Sequence, residues 1–590
     1  MNIFTPLKKI LNNIQQHFVV YVQSIVFLRV IQIAVALPAI SYLFLQILKV
    51  TGLSSITENT LFEVFRHPLG IFALTLLAII VIFFIYYEQA YYFILAFFQR
   101  TGEPYDFKKI IRKLNRKARF FLSLQSLLFL LYFLLILPIA SIGMSPGLAK
   151  NLYIPHFIIE ELVKFPGGLQ VYVASLILVF YLSLRLLYAV PFFVLEENMT
   201  ILQGVKKSWI LTRRKTIRNS SYLAVIILGY GLAIAALSFL ILLPLFAVER
   251  WVPAAAPMMA GLTLTTLQLI LFLSFGILQA ILADTLLGLA YPELNTLERR
   301  TEENKSLFPV MFSRGLYLIA VGMFVFTVIG NTVSVTKILY QPSTQIIAHR
   351  GYTAEGVENT IGALRAAKNA NADYVEMDIL QTKDIQFVVI HDTNLERLAG
   401  RNENVSDLTL ADLQEIEVSA NGFTDKIPSL EEYIAVAKEI DMKLVIEIKY
   451  HGNESEDMEQ LLVELLQKEG VAQDYLVQSL EERAIAKVKE VDPDITTGYL
   501  VALNIGNLPQ TSADFVVIEE FSLNQRLIDQ ARGAGKGIGV WTVNQEQLIR
   551  RALRLNVDGL ITNEPSRAYG LRAAFNQEQT FVQRVQDLLE

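Results

Sequence analysis

Seven long apolar runs constrain this chain more than any other feature. They lie at 25–48, 70–98, 120–142, 169–190, 222–247, 260–284 and 315–336, and each is near or above the roughly 20 residues a helix needs to cross a bilayer. Residues 1–340 are therefore expected to form a multi-pass helical membrane domain. The polar stretch Met1 to His17 lacks the pattern of a cleavable signal peptide, so the first run is expected to start that domain. Loop charge sets the orientation. Arg100, Lys108, Lys109, Arg112, Lys113, Arg116, Lys117 and Arg119 follow the second run, and Lys206, Lys207, Arg213, Arg214, Lys215 and Arg218 follow the fourth. The connection 285–314, with Arg299, Arg300, Lys305 and Arg314, belongs on that side too, whereas 49–69, 143–168 and 249–259 carry few cations. Cation-rich loops stay in the cytoplasm, so the N-terminus is expected inside and everything beyond Lys337 outside. Within the runs, Glu88 and Arg185 are candidates for a pair or an ion or lipid path, because an isolated charge at that depth is costly.

The remainder is a different kind of polymer. Residues 1–344 carry 28 Lys and Arg against 15 Asp and Glu, whereas residues 345–590 carry 23 against 41, so a net charge of −5 conceals a basic half and an acidic half. An acidic half is repelled by a phosphate backbone, which argues against a nucleic-acid partner. Cysteine is absent, which excludes disulfides, thiolate metal sites and cysteine nucleophiles.

From Gln345 onward, short β-rich runs alternate with helical ones: QIIAHR, DYVEMDIL, QFVVIHD, MKLVIEIK, YLVQS, TTGYL, DFVVI, GIGVWTV and VDGLIT. Apolar strands separated by helices predict a parallel sheet, and about 240 residues suits a closed (β/α)₈ (TIM) barrel over 345–590. Nine candidates compete for eight places, with one of TTGYL and DFVVI expected to be peripheral. The segment from residue 571 reads as an amphipathic helix that covers the barrel or touches the membrane surface.

Polar residues close these strands: His349 and Arg350 the first, Glu376 and Asp378 the second, His391 and Asp392 the third, Glu447 and Lys449 the fourth. The C-terminal strand ends of such a barrel form one rim, where active sites are built. Glu376 and Asp378 are two apart and share a strand face, and Glu447 from a neighbouring strand completes a three-carboxylate cluster. Three anions held together call for a cation, and all-oxygen ligation selects Ca²⁺ or Mg²⁺ over zinc. His349 and His391 together offer one base and one acid near neutral pH, as cleavage of a phosphodiester requires. Arg350 can grip a phosphate oxygen, and Lys449 adds a point charge.

The ordered set IIAHRG, ENT, VEMDI, VVIHD, LVIEIK, VWTVN and DGLITNEP, with NLERLAG, VSDLTLADL and IPSLEEY between the third and fourth strands, resembles the glycerophosphodiester phosphodiesterases over residues 345–570. The multi-span region before it resembles the membrane-domain subgroup of that family in Gram-positive bacteria. The resemblance implies a metal-dependent TIM barrel that hydrolyses glycerophosphodiesters to sn-glycerol 3-phosphate and an alcohol. It implies His349 and His391 as acid and base, Glu376, Asp378 and Glu447 as metal ligands, and Arg350 and Lys449 as phosphate contacts. It also implies Glu358 as a residue that holds the site through hydrogen bonds, and Trp541 as the aromatic beside the glycerol. Two positions depart from the family pattern: Val357 stands in place of the usual Pro before ENT, and Asn563 and Glu564 replace the usual Thr-Asp-x-Pro ending. The nucleophile is either the glycerol 2-hydroxyl, through a cyclic intermediate, or water.

Only eight residues, 337–344, separate the last run from the first strand, so the barrel is expected close to the outer surface, and if that strand continues outward its catalytic rim points away from the bilayer. The substrate expected there is an extracellular glycerophosphodiester, such as the polyglycerol phosphate of lipoteichoic acid or a headgroup such as that of phosphatidylglycerol, with membrane lipids as neighbours. Two other classes compete: a phosphodiester-binding sensor, and a lipid or headgroup transporter that carries the barrel as an accessory. The oligomeric state is not encoded in any motif.

Overall fold

The computed structural model describes the chain except residues 1–3, 124, 140–157, 160–161, 164, 166, 214, 296–305, 308–309, 338–341, 576–578 and 590. Most of the 143–168 loop, part of the tether, and Arg299, Arg300 and Lys305 fall outside the described residues. Six described helices are long and apolar enough to span a membrane: Phe18–Thr51, Pro68–Thr101, Gly168–Leu195, Thr216–Trp251, Pro253–Ala290 and Tyr317–Thr336. The seventh run, expected at 120–142, belongs to a pair of segments, Phe107–Leu122 and Gln125–Leu135, bent by 105°. Within the first of these segments the Lys117 ammonium is buried and donates to the carbonyls of Glu196 (2.7 Å), Glu197 (2.9 Å) and Met199 (2.9 Å). A second buried cation is matched more fully, with Arg100 Nε 2.6 Å and Nη2 3.0 Å from the two carboxylate oxygens of Asp284. Glu88 and Arg185, suspected of pairing, each meet another group. Glu88 lies 3.6 Å from Arg29, and the Arg185 guanidinium covers the Trp209 ring at 4.3 Å and donates to the Trp209 carbonyl.

The strands are β1 (Ser55–Thr57), β2 (Gln345–His349), β3 (Tyr374–Gln381), β4 (Phe387–Val389), β5 (Glu417–Ala420), β6 (Phe423–Lys426), β7 (Lys443–Ile448), β8 (Leu476–Ser479), β9 (Thr497–Val501), β10 (Asn504–Gly506), β11 (Phe515–Glu519), β12 (Gly537–Trp541) and β13 (Gly559–Thr562). Eight of them, in the order β2, β13, β12, β11, β9, β8, β7, β3, pair in parallel, and the β2–β3 pairing closes the barrel. Its interior is plugged by Ile347, Val445, Leu500, Val517 and Ile561, while the opposite faces of the strands pack on the surrounding helices.

Both TTGYL (β9) and DFVVI (β11) take places in the barrel, and the peripheral strand is QFVVIHD. This segment, β4, runs antiparallel to the end of β3 that overhangs the barrel, pairing Ile379 with Val389. The reason is connection length. Only residues 382–386 separate β3 from β4, and a parallel crossover needs about a dozen residues.

Among the described residues, the barrel touches the membrane domain at two places. The helix Phe581–Leu589 buries Val582 and Val585 against Leu242, Leu245, Leu264 and Val335, so the amphipathic C-terminal segment docks on the membrane helices themselves. The second contact is β1, in the loop between the first two spans, which pairs antiparallel with β10. Because β10 follows the C-terminal end of β9, this sector of the catalytic rim meets the membrane domain, and the expected rim directed wholly away from it is corrected. An eight-residue tether does not oblige β2 to continue the direction of the last span, and the β1–β10 pairing and the Phe581–Leu589 helix both hold the barrel on the membrane domain.

Candidate active site

Register brings the rim residues together. His349 stands opposite Glu376, Asp378 opposite Glu447, and Glu447 opposite Gln478. Alternation along β3 and β7 then turns Glu376, Asp378 and Glu447 to the same inner surface. One carboxylate oxygen from each lies within 4.8 Å of those of the other two, and all three side chains are buried. Lys449 Nζ is 3.0 Å from Asp378 Oδ1 and 3.4 Å from Glu447 Oε1.

His391 arrives by the hairpin. The Ile390 N–H donates to the Asp378 carbonyl at 3.1 Å, so β4 delivers His391 beside the cluster although it is no barrel strand. His391 Nδ1 lies 2.7 Å from Asp392 Oδ1 and donates to it, which turns Nε2 away from that carboxylate. His349 Nδ1 likewise donates to Asn563 Oδ1 at 2.7 Å, and its Nε2 lies 4.0 Å from Glu376 Oε2.

The turn after β2 is shaped by backbone. Arg350 (φ 57°) and Gly351 (φ 83°) are both left-handed, and the Arg350 N–H donates to Glu376 Oε2 at 2.9 Å. Gly351 is required twice over, by its φ and because a Cβ there would sit 2.7 Å from that of Ala363. The Arg350 guanidinium donates to Glu358 at 3.0 Å and lies 3.3 Å from Asp378. Trp541, at the end of β12, donates from Nε1 to the Val501 carbonyl at 3.3 Å.

Two family descriptions match the chain: the membrane domain of glycerophosphoryl diester phosphodiesterase over residues 7–328, and the glycerophosphoryl diester phosphodiesterase family over residues 349–567. The chain belongs to the glycerophosphoryl diester phosphodiesterase family. The Bacillus subtilis protein YhdW, which carries that enzyme's name, is 34% identical over 233 residues, covering 37% of this chain and 94% of its own. The glycerophosphodiester phosphodiesterase of Caldanaerobacter subterraneus is 28% identical, covering 38% of this chain and 95% of its own. A phosphodiesterase structure from Oleispira antarctica, in complex with sn-glycerol-3-phosphate, aligns at 24% identity and TM-score 0.36, covering 38% of this chain and 96% of that one. The chain is thus an enzyme, a glycerophosphodiester phosphodiesterase.

In this phosphodiesterase the carboxylate cluster suits an oxygen-seeking divalent cation. Glu376 Oε1 is buried with no hydrogen-bond partner among the described residues, so one oxygen of the cluster is left for a ligand. Burial, with the charges of Asp378 and Glu447, pushes the Glu376 carboxyl well above the usual carboxylate range, and burial pushes Glu447 upward as well. Burial also acts on Asp378, but Lys449, His391, Arg350 and the Asn359 hydrogen bond outweigh it and hold that carboxyl well below the usual range. Burial lowers His349 to about 3 and His391 to about 4, so both imidazoles are neutral at pH 7.

Several residues were not singled out from sequence. Asn359, inside the ENT motif, donates to Asp378 Oδ2 at 2.8 Å and accepts from the Asp378 N–H at 3.1 Å. Arg397, inside NLERLAG, donates to Asp392 at 2.5 Å and to both oxygens of Glu358, at 2.8 and 2.7 Å. Asn563 registered only as a departure from the usual motif, yet it orients His349. Chain spacing gives no sign that a loop arginine will bridge two motifs. Replacing Arg397 by Gln should lower kcat/KM by about 10–100-fold, because it unties the carboxylates that orient His391 and Arg350. Initial rates on a soluble diester, compared with those of wild type, check this.

Proposed function

We propose that this enzyme hydrolyses glycerophosphodiesters at the outer membrane surface, on phosphodiesters carried by lipid headgroups or by a membrane-anchored polyglycerol phosphate. The observation that carries the chemistry is the convergence of two neutral imidazoles on three buried carboxylates with an unpartnered oxygen. Glu376, Asp378 and Glu447 would hold one Ca²⁺ or Mg²⁺. When bound, that ion supplies positive charge to the diester and to the oxygens that gain charge in the transition state.

The chain's own residues do the rest. Glu376, Asp378, Glu447, Arg350 and Lys449 together carry one net negative charge, which a divalent ion converts to one positive charge, matched to a monoanionic diester. One imidazole accepts the proton of the nucleophile at Nε2, and the other, once it has taken up a proton at its own Nε2, gives that proton to the alkoxide oxygen as its bond to phosphorus breaks. Asp392 and Asn563 hold the Nδ1–H of each ring, which leaves both Nε2 atoms as the positions where a proton is taken up and given. A cavity of roughly 310 Å³ is lined by Leu380, Gln381, Thr393, Asn404, Val405, Ser406, His451, Asn453 and Glu454, of which Thr393 and His451 lie two residues beyond His391 and Lys449 in the chain.

Two features support the outer placement. The loops that touch the barrel, carrying Glu58 and Glu249, are the cation-poor ones. The cationic segments meet one another instead, with Lys117 on residues 196–199, Arg116 on Glu197 and Lys207 on Glu196. The test uses the purified full chain with sn-glycero-3-phosphoglycerol and, separately, phosphatidylglycerol vesicles. Release of glycerol 3-phosphate, abolished by chelator, is expected from both. No release from the soluble diester contradicts the reaction, and protection of the barrel from added protease in intact cells contradicts the placement.

A further inference from the structure

We propose that the membrane domain contributes a positioning residue to the phosphodiesterase site: Glu58, acting through the segment 501–506 on Trp541. The inference rests on the reading of Trp541 as a wall of the substrate pocket.

The segment that leaves the catalytic end of β9 is held at every residue. Val501 accepts the indole N–H of Trp541 at 3.3 Å. The next two N–H groups, of Ala502 and Leu503, donate to Glu58 Oε1 at 3.0 Å and Oε2 at 2.9 Å. The next three residues form β10, paired with β1 as Thr57 with Asn504, Ile56 with Ile505 and Ser55 with Gly506. Asn59 adds a bond from Nδ2 to the carbonyl of Leu480, just beyond β8. One carboxylate that accepts two consecutive amides is a charge-assisted clamp on backbone that lies outside the ladder of the barrel.

Both sides are built for this approach. On the membrane side, Ile56 is buried among Ile47, Leu48 and Val64, and Thr57 and Thr60 hydrogen-bond each other, so Glu58 stands on an ordered turn. On the barrel side, Gly506 has φ 128°, and a Cβ there would sit 3.2 Å from the Ser55 backbone. The loop thus restrains the peptide that accepts the Trp541 indole, and the membrane domain becomes part of the substrate pocket's support as well as its anchor.

The test uses the full chain in detergent with sn-glycero-3-phosphoglycerol. Glu58→Ala should raise KM roughly tenfold and leave kcat within about twofold, because a pocket wall is loosened while the histidines and carboxylates are untouched. Glu58→Gln, which keeps one acceptor oxygen, should fall between the two, and Gly506→Val should reproduce the alanine phenotype from the barrel side. With Trp209 and Trp251 replaced by Phe, Trp541 is the single emitter, and Glu58→Ala should increase its quenching by acrylamide. Unchanged KM and unchanged quenching in Glu58→Ala overturn the inference, as does a loss confined to kcat. Trp541→Ala separates the two readings. A raised KM there beside an unchanged KM in Glu58→Ala keeps Trp541 in the pocket and overturns the role of Glu58, whereas an unchanged KM in Trp541→Ala removes the wall and with it the route by which Glu58 acts.

Discussion

Glu376→Gln, Asp378→Asn and Glu447→Gln, made singly, should each lower kcat/KM on the order of 10³-fold, the scale of losing preorganised charge at a reacting phosphate. What distinguishes this from damage to the fold is the stability of the first variant. Without a cation, Glu376 is a buried carboxylate beside Asp378 and Glu447, and burial and those two charges already push its carboxyl well above the usual range. A neutral amide relieves that repulsion. In chelator, Glu376→Gln should therefore melt no lower than wild type while its activity is lost, and with the divalent ion present wild type alone should gain stability. Rates and thermal melts of the same two proteins, with and without ion, check both halves.

His391→Ala should reduce kcat by about 10³-fold, within the range for a general acid or base. The pH profile adds a sign. Burial lowers the His391 imidazole to about 4, against the upward pull of Asp378 and the Asp392 hydrogen bond. Burial lowers His349 as well, to about 3, so whichever imidazole serves as base remains unprotonated well below the ordinary histidine value of about 6.5. The acid limb of kcat/KM should fall below pH 6, and a limb centred near 6.5 would contradict the geometry. Stability follows the same linkage: the folded value is depressed, so the unfolded chain takes the proton more readily and the fold loses stability as pH drops from about 6.5 toward 4.

Much of this enzyme was legible in its sequence because hydrophobic period and strand-end polarity are local signals. The alternation of β-rich and helical runs gave the barrel, and the polar residues after QIIA, YVEM and KLVIE marked the rim. The errors came where position depends on pairing. QFVVIHD looks like any buried strand, and only the five-residue connection before it reveals a hairpin. His391 thus reaches the rim from β4, a strand that the barrel does not contain. Arg397 and Asn359 lie in motifs that were recognised, yet which side chains they hold is set by loops closing across the barrel mouth. The contact between β1 and β10 joins residues some 450 positions apart, and three residues of SIT carry no pattern that would announce it. Glu88 and Arg185 illustrate a further limit: each charge needs a partner, but only helix packing decides which one.

The central claim, that three buried carboxylates exist to hold a divalent cation, is tested most directly by metal content. The purified full chain, stripped with chelator and dialysed against Ca²⁺ or Mg²⁺, should retain one equivalent of ion per chain, and the Glu376→Gln protein prepared in parallel should retain none. Equal retention by both proteins, or full activity in the stripped wild type, would contradict it.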